Sequence, residues 1–493
     1  MTAVDPVVHT TKGAVRGTWE GASARFLGIP FAKPPVGTLR FQAPVPPDAW
    51  SEVRQATAFG ATPQRKALAE VTMIPEPSIP GDDILSVNVF TPTPSAAPDG
   101  RGLPVLFWIH GGGFVAGSPA SPWYDGASFN RDGVILVTAS YRLGFDGFGW
   151  LPDAPLNRGV LDWLAALEWV RDNIAAFGGD PGRVTIAGQS AGGAAVLTLL
   201  ALPAAQDLFH GAISVSGALA DIPVSEAKAA SGRVAEALGV PLSSAGIGSV
   251  SEEQLITALG WGWSREPSPI RDSLQQMSHL RGGMDFGPVL DGELHSRPVS
   301  EALAAGRGAR IPLMLGATRD EFSAPLALRA ADFGDMPAAE AVELMGLERT
   351  DAAAFAAALP GEGAAYAAGR LVTDRMFRRR VVEVAHARGD APTWVYDFAW
   401  RSPVTGLAEH CLDVPFLFDV LSDPNVTRVA GPAAPQALAD EIHNAYVAFV
   451  RDGTPGWQAT GRALDRVHVW GDGDPSQSSD GYATARLVAE ITG

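Results

Sequence analysis

Runs of apolar residues and amphipathic stretches alternate through the first half of the chain. Val105 to Ile109 is apolar throughout and Val134 to Ala139 nearly so. Runs without polar alternation mark strands covered on both faces of a mostly parallel sheet. From Asn157 to Phe177, apolar residues at Val160, Leu164, Leu167, Trp169, Val170 and Ile174 follow a helical spacing, and Phe177-Gly178-Gly179-Asp180-Pro181 ends it. The β-branched trio Val184, Thr185 and Ile186 then reads as a strand, and a run of small and apolar residues from Ala191 to Leu197 as a helix. Ala212 to Ser216 and Ile311 to Leu315 read as further strands. This alternation predicts an α/β protein whose parallel sheet is connected by helical crossovers. No repeat, low-complexity linker or charge block marks a boundary, so residues 1–493 are expected to form one domain. Residues 220–285, with Trp261 and Trp263 as packing residues, and 325–390 are read as helical insertions over the sheet.

Composition narrows the class. A content of 46% hydrophobic and 18% charged residues supports a large core and excludes disorder. A net charge of −17 argues against a basic face for nucleic acid or anionic membrane. The start, MTAVDPVVHTTKG, lacks the basic and apolar sections of a signal peptide, and no apolar run approaches the roughly 18 residues of a membrane span. A single cysteine, Cys411, rules out an intrachain disulfide. These features lead to the expectation of a cytoplasmic monomer or small homo-oligomer that acts on a small molecule. Neither metal-ligand spacing nor a nucleotide loop is present, so no cofactor and no metal are expected.

The candidate chemistry lies where the apolar runs end. Gly188-Gln189-Ser190-Ala191-Gly192 falls at the predicted strand-to-helix turn. In a chain with 55 glycines the pentapeptide alone means little, but this context is what a nucleophile elbow requires. Ser190 is therefore the candidate nucleophile. His110-Gly111-Gly112-Gly113-Phe114 follows the strand at Val105 to Ile109 directly, leaving backbone N–H groups free to converge on a developing oxyanion. Hydrolases built around such an elbow place their acid and then their histidine later in the chain. Gly316 to Glu321 is the loop after the strand at Ile311 to Leu315, and within it the residues do not choose between Asp320 and Glu321. Of the four histidines beyond, His386 and His443 lie in helical patterns and His468 in a strand-like one. Only His410 lies in an irregular segment, from which one ring nitrogen can face a serine and the other an acid.

Several blocks resemble the type-B carboxylesterases, the family that includes cholinesterases and bacterial para-nitrobenzyl esterases. They are Phe26 to Phe41, Asp82 to Val89, Tyr141 to Gly144, the segments around Ser190, Glu321 and His410, and Phe449 to Pro455. The resemblance implies an α/β-hydrolase fold, selects Glu321 as the acid, assigns the oxyanion positions to Gly112, Gly113 and Ala191, and makes Ser216 a support for the acid. His110 is then expected to shape the loop. The chain departs from the family pattern at five places: Ile84 replaces a cysteine that closes a loop near the active site in cholinesterases, Ser140 an asparagine, Gln189 a glutamate, Phe322 a glycine and Asp413 a glutamate.

These readings converge on a serine carboxylesterase with a Ser190-Glu321-His410 triad that works through an acyl-enzyme. Phe114, Trp123, Tyr124 and Phe416 are candidate apolar walls, and neutral esters of short to medium acyl chains are the expected substrates. An amide or lactone hydrolase using the same triad is the alternative. A catalytically inactive, cholinesterase-like interaction protein is a remoter one, because all three triad positions are filled.

Overall fold

The structure, a computed structural model, describes residues 4–65, 73–96, 101–259, 268–277, 284–471 and 481–492. Its centre is a sheet of ten strands among the described residues: β1 (Thr18–Glu20), β2 (Ser23–Pro30), β3 (Ser86–Thr91), β4 (Leu103–Ile109), β5 (Ile135–Ala139), β6 (Gly179–Gln189), β7 (Gly211–Val215), β8 (Leu313–Thr318), β9 (Thr393–Phe398) and β10 (His468–Trp470). The spatial order is β10-β9-β8-β7-β6-β4-β5-β3-β2-β1. The seven strands from β10 to β5 are parallel, while β3, β2 and β1 add an antiparallel edge.

The apolar runs are explained by the two faces of this sheet. Along β4, Val105, Phe107 and Ile109 enter one core cluster, and Leu106 and Trp108 enter another. Successive side chains of a strand point to opposite faces, so a strand covered on both must be apolar at every position. Helix α1 (Arg158–Asn173) covers the first face with Val160, Trp163, Leu167 and Val170, joined by α2 (Ala191–Ala201). In the later part of the chain, α3 (Ala364–Thr373) and α4 (Arg379–Arg388) precede β9. Helix α5 (Gln436–Asp452) packs Leu438, Ile442, Tyr446 and Phe449 on the second face. Buried Arg142 makes a bidentate contact to Asp162 of α1, at 2.9 and 2.7 Å, and so ties the segment after β5 to that helix.

Element ends differ from the sequence expectation where backbone chemistry intervenes. Strand β8 begins at Leu313 because Pro312, lacking an N–H, cannot donate to a ladder. Strand β6 extends to Gly179–Gln189 because Leu103 pairs with Gly179 across a register shift. Both expected insertion regions are rich in helices, Val224–Leu238 and Ile270–Met277 in one and Ala338–Leu344, Arg349–Ala357, α3 and α4 in the other. Trp261 and Trp263 lie outside the described residues. The parallel register aligns Ile109 with Gly188 and Val215 with Gln189 and Gly316. The glycine loop, Ser190 and the Glu321 loop therefore all leave the same edge of the sheet, at the carboxyl ends of parallel strands, where open α/β sheets form their crevices.

Candidate active site

Ser190 joins β6 to α2 with φ 58° and ψ −119°, a conformation that costs a non-glycine residue about 1–3 kcal/mol. It is held from both sides: its N–H donates to the Val215 carbonyl at 2.8 Å, and its carbonyl accepts from Ala194 N–H at 2.9 Å. The flanking glycines are required by close approach. A Cβ at Gly188 would stand 2.5 Å from the Gly192 carbonyl carbon, and one at Gly192 would stand 2.0 Å from the Ile109 carbonyl oxygen. The elbow can form only because both positions lack a side chain.

Glu321 and His410 meet beside it. His410 Nδ1 contacts Glu321 Oε2, and His410 N–H donates to the Glu321 carbonyl at 3.0 Å. The other carboxylate oxygen, Oε1, accepts from Thr318 N–H at 2.9 Å. Asp320 turns away, where its two oxygens accept from the Tyr366 hydroxyl at 2.8 Å and Ala408 N–H at 2.9 Å. The choice between the two acids thus follows from side-chain direction. With the Nδ1 proton on the Glu321 side, Nε2 is an acceptor, and the Gln189 amide donates to it at 3.2 Å. Ser190 Oγ makes no hydrogen bond among the described residues, so a contact between serine and imidazole requires Gln189 to yield Nε2. Ser216, expected to support the acid, makes no such contact: its Oγ has no partner among the described residues, and the Thr318 amide is the group that donates to Glu321.

The glycine loop, the candidate oxyanion hole, owes its aim to hydrogen bonds on the reverse side of its peptides. In a trans peptide the C=O of one residue and the N–H of the next point in opposite directions. His110 Nδ1–H donates to the Gly111 carbonyl at 2.8 Å, which turns the Gly112 N–H the other way. Val115 and Ala116 donate to the Gly112 carbonyl at 3.1 and 2.8 Å, which does the same for the Gly113 N–H. Ala191 N–H opens the first turn of α2, whose initial donors have no intrahelical acceptor. None of the three N–H groups donates to an acceptor among the described residues. His110 is wholly buried and stacked on Tyr141 at 4.5 Å. Burial, with a lesser contribution from the Arg65 charge, lowers its pKa to about 3, so the ring is neutral at ordinary pH. Its contact with the Gly111 carbonyl is the one that shapes the loop.

The four aromatic residues expected as walls are core residues. Phe114 packs on Phe148 and Trp163, Tyr124 on Trp108 and Phe418, and Phe416 on Phe398 and Trp400; with Trp123, none is more than 3% exposed. The rings beside the imidazole are instead Phe322 and Phe377, 5.0 and 4.7 Å from it and stacked on each other at 5.3 Å. Phe377 arrives through a π turn, Asp374–Arg378, between α3 and α4. No periodicity in the sequence marks that turn. Cys411 is buried in the second core cluster, and burial, reinforced by Asp413 and Glu321, keeps its thiol protonated. No group of three or more His, Cys, Asp or Glu side chains among the described residues is placed to hold a metal ion, and no described helix is long and apolar enough to cross a membrane.

Comparison with known proteins gives a consistent picture. The model of the carboxylesterase family matches residues 4–468. Para-nitrobenzyl esterase of Bacillus subtilis (strain 168) is 36% identical over 472 residues, 92% of this chain and 91% of that protein. Phenmedipham hydrolase of Pseudarthrobacter oxydans is 33% identical over 512 residues, 94% and 92% of the two chains. Among solved structures, a PNB esterase superposes with a TM-score of 0.79 at 31% identity, covering 98% of this chain and 99% of its own. A carboxylesterase of Geobacillus stearothermophilus superposes with a TM-score of 0.78 at 32% identity, covering 94% and 96%.

Proposed function

Because the chain belongs to the carboxylesterase family, has the α/β-hydrolase fold and is a carboxylic ester hydrolase, we propose that Ser190, His410 and Glu321 carry out the hydrolysis through an acyl-enzyme. The observation that carries this reading is the convergence of the strained Ser190 elbow with the Glu321–His410 pair on one edge of the sheet. In the reaction, Gln189 releases Nε2 of His410, and Ser190 Oγ attacks the ester carbonyl carbon as its proton passes to Nε2. The carbonyl oxygen becomes an oxyanion facing the Gly112, Gly113 and Ala191 N–H groups. Collapse breaks the bond to the alcohol, which leaves with the proton from His410. Water then attacks the acyl carbon and gives a proton to His410; the bond from the acyl carbon to Ser190 Oγ breaks, His410 returns the proton to Oγ, and the carboxylic acid leaves.

The leaving alcohol takes its proton from His410, so the Phe322–Phe377 pair beside that ring is the wall we assign to it. Neutral esters with short to medium acyl chains are the substrates we assign, since the residue before the nucleophile is a neutral glutamine. We read residues 1–493 as one domain, because strands from both ends of the chain enter one sheet. We also infer a cytoplasmic location, from the single cysteine.

The test is burst kinetics on para-nitrophenyl acetate. Wild type should release one para-nitrophenol per site ahead of steady turnover. Ser190→Ala should keep the fold, by circular dichroism and melting, and lose on the order of 10⁶ in kcat. Turnover close to wild type by the folded variant would end the assignment.

A further inference from the structure

The chain before Ile84 is closed without a disulfide. Thr62 N–H donates to the Ile79 carbonyl at 2.9 Å, Ile79 N–H donates to Thr62 Oγ1 at 3.0 Å, and the Gln64 amide donates to both backbone carbonyls. Inside this neck stands an ion pair, Arg65 and Glu76, with side chains 2% and 3% exposed and 3.7 Å apart. Arg65 also donates to the carbonyls of Pro63 at 2.8 Å and Pro77 at 3.0 Å. A buried carboxylate of this kind needs partners for its oxygens. One of them reaches outside the neck: Glu76 Oε2 accepts from Gly117 N–H at 3.1 Å.

Gly117 closes the oxyanion loop. A Cβ there would lie 2.1 Å from the Gly111 carbonyl oxygen and 2.4 Å from His110 Nδ1, so its bare α-carbon is seated against the very hydrogen bond that aims the Gly112 N–H. Its φ of 98° is a conformation that favours glycine. The bond from Glu76 holds Gly117 in that seat.

We propose that Glu76, buried and charge-paired with Arg65, is a positioning residue for catalysis: through Gly117 it fixes the aim of the oxyanion N–H groups at Gly112 and Gly113. It touches no substrate. The proposal rests on the reading of those N–H groups as the oxyanion hole, and it assigns to an ion pair 41 residues away in sequence the task of keeping that hole in shape. Losing one oxyanion donor outright costs about 10²–10³ in kcat. Misaiming two of them is expected to cost roughly tenfold to a hundredfold.

Two double variants isolate the hydrogen bond from the buried charge. Arg65→Met with Glu76→Gln keeps an oxygen that can accept from Gly117, whereas Arg65→Met with Glu76→Leu does not; neither leaves an unpaired buried ion. The readouts are kcat and KM on para-nitrophenyl butyrate and the affinity for an alkyl trifluoromethyl ketone. Ser190 adds to that ketone's carbonyl carbon, and the resulting hemiketal oxyanion needs the aimed N–H groups. A simple alcohol serves as a ground-state competitor. The glutamine pair should recover most of the wild-type kcat. The leucine pair should lose about tenfold to a hundredfold in kcat and, by a similar factor, in ketone affinity, with KM and alcohol binding nearly unchanged. Equal kcat and equal ketone affinity for the two pairs would overturn the proposal, even if their melting temperatures differ. If the ketone binds wild type and Ser190→Ala equally, the catalytic reading itself fails, whatever the Glu76 variants do.

Discussion

Asp413 lies three residues after His410 with its side chain wholly buried, Oδ1 without a partner among the described residues and Oδ2 3.4 Å from the Tyr396 hydroxyl. Burial, reinforced by the Glu321 charge, pushes its pKa up to about 7, against 3.8 for an ordinary aspartate. Between these two values the folded protein binds a proton that the unfolded chain has released. Stability contributed by this group is therefore present at acid pH and is lost as pH rises through that window. Replacing the carboxyl with an amide removes the titration. Asp413→Asn should gain stability over wild type as pH is raised from 5 to 8, by an amount on the order of a few kcal/mol. Urea denaturation at the two pH values measures it, and a difference between the proteins that does not change with pH would refute the assignment. At this scale, side-chain direction also resolved what the residues alone left open, since Asp320 and Glu321 are adjacent and chemically alike but only one faces the imidazole.

At the scale of elements, the same residue type does opposite things. Gly192 opens α2 against the end of β4, with 2.0 Å between a hypothetical Cβ and the Ile109 carbonyl. Gly232 lies within the helix Val224–Leu238, where an added Cβ meets nothing within 4 Å. Gly192→Ala must push the helix off the strand; it should cost about 3 kcal/mol or more and abolish most ester hydrolysis by moving Ser190 and Ala191. Gly232→Ala should instead stabilise by about 0.5–1 kcal/mol, because it removes only backbone freedom, and should leave kcat/KM unchanged. Denaturation midpoints and kcat/KM for the two variants check both arms, and a Gly192→Ala enzyme as active and stable as wild type would contradict the packing argument. The π turn that delivers Phe377 is an element with no such local signature: a widened helical turn depends on what the helix packs against.

For the whole molecule, the net charge of −17 attracts cations over a Debye length, while selectivity belongs to the pocket. The residue before Ser190 is the uncharged Gln189, its amide turned to His410. A neutral butyrate ester should therefore exceed butyrylcholine in kcat/KM. At high salt, where surface steering is screened, a tenfold or greater preference for choline would refute this. The order of strands and helices, the elbow, the glycine loop and the histidine that meets Glu321 were legible in the sequence because each depends on neighbours a few residues away: periodicity, a strand ending in glycines, a histidine that alone among the four after Glu321 lies outside a helix or strand pattern. Contacts between distant segments were not legible. Trp123 and Phe114 look alike in a sequence whether they line a pocket or fill a core, Phe322 and Phe377 meet across 55 positions, and nothing local links Glu76 to Gly117. Local chemistry determined which residues the active-site edge would carry. Only the tertiary structure decided what faces what, because burial and direction are properties of the packed chain.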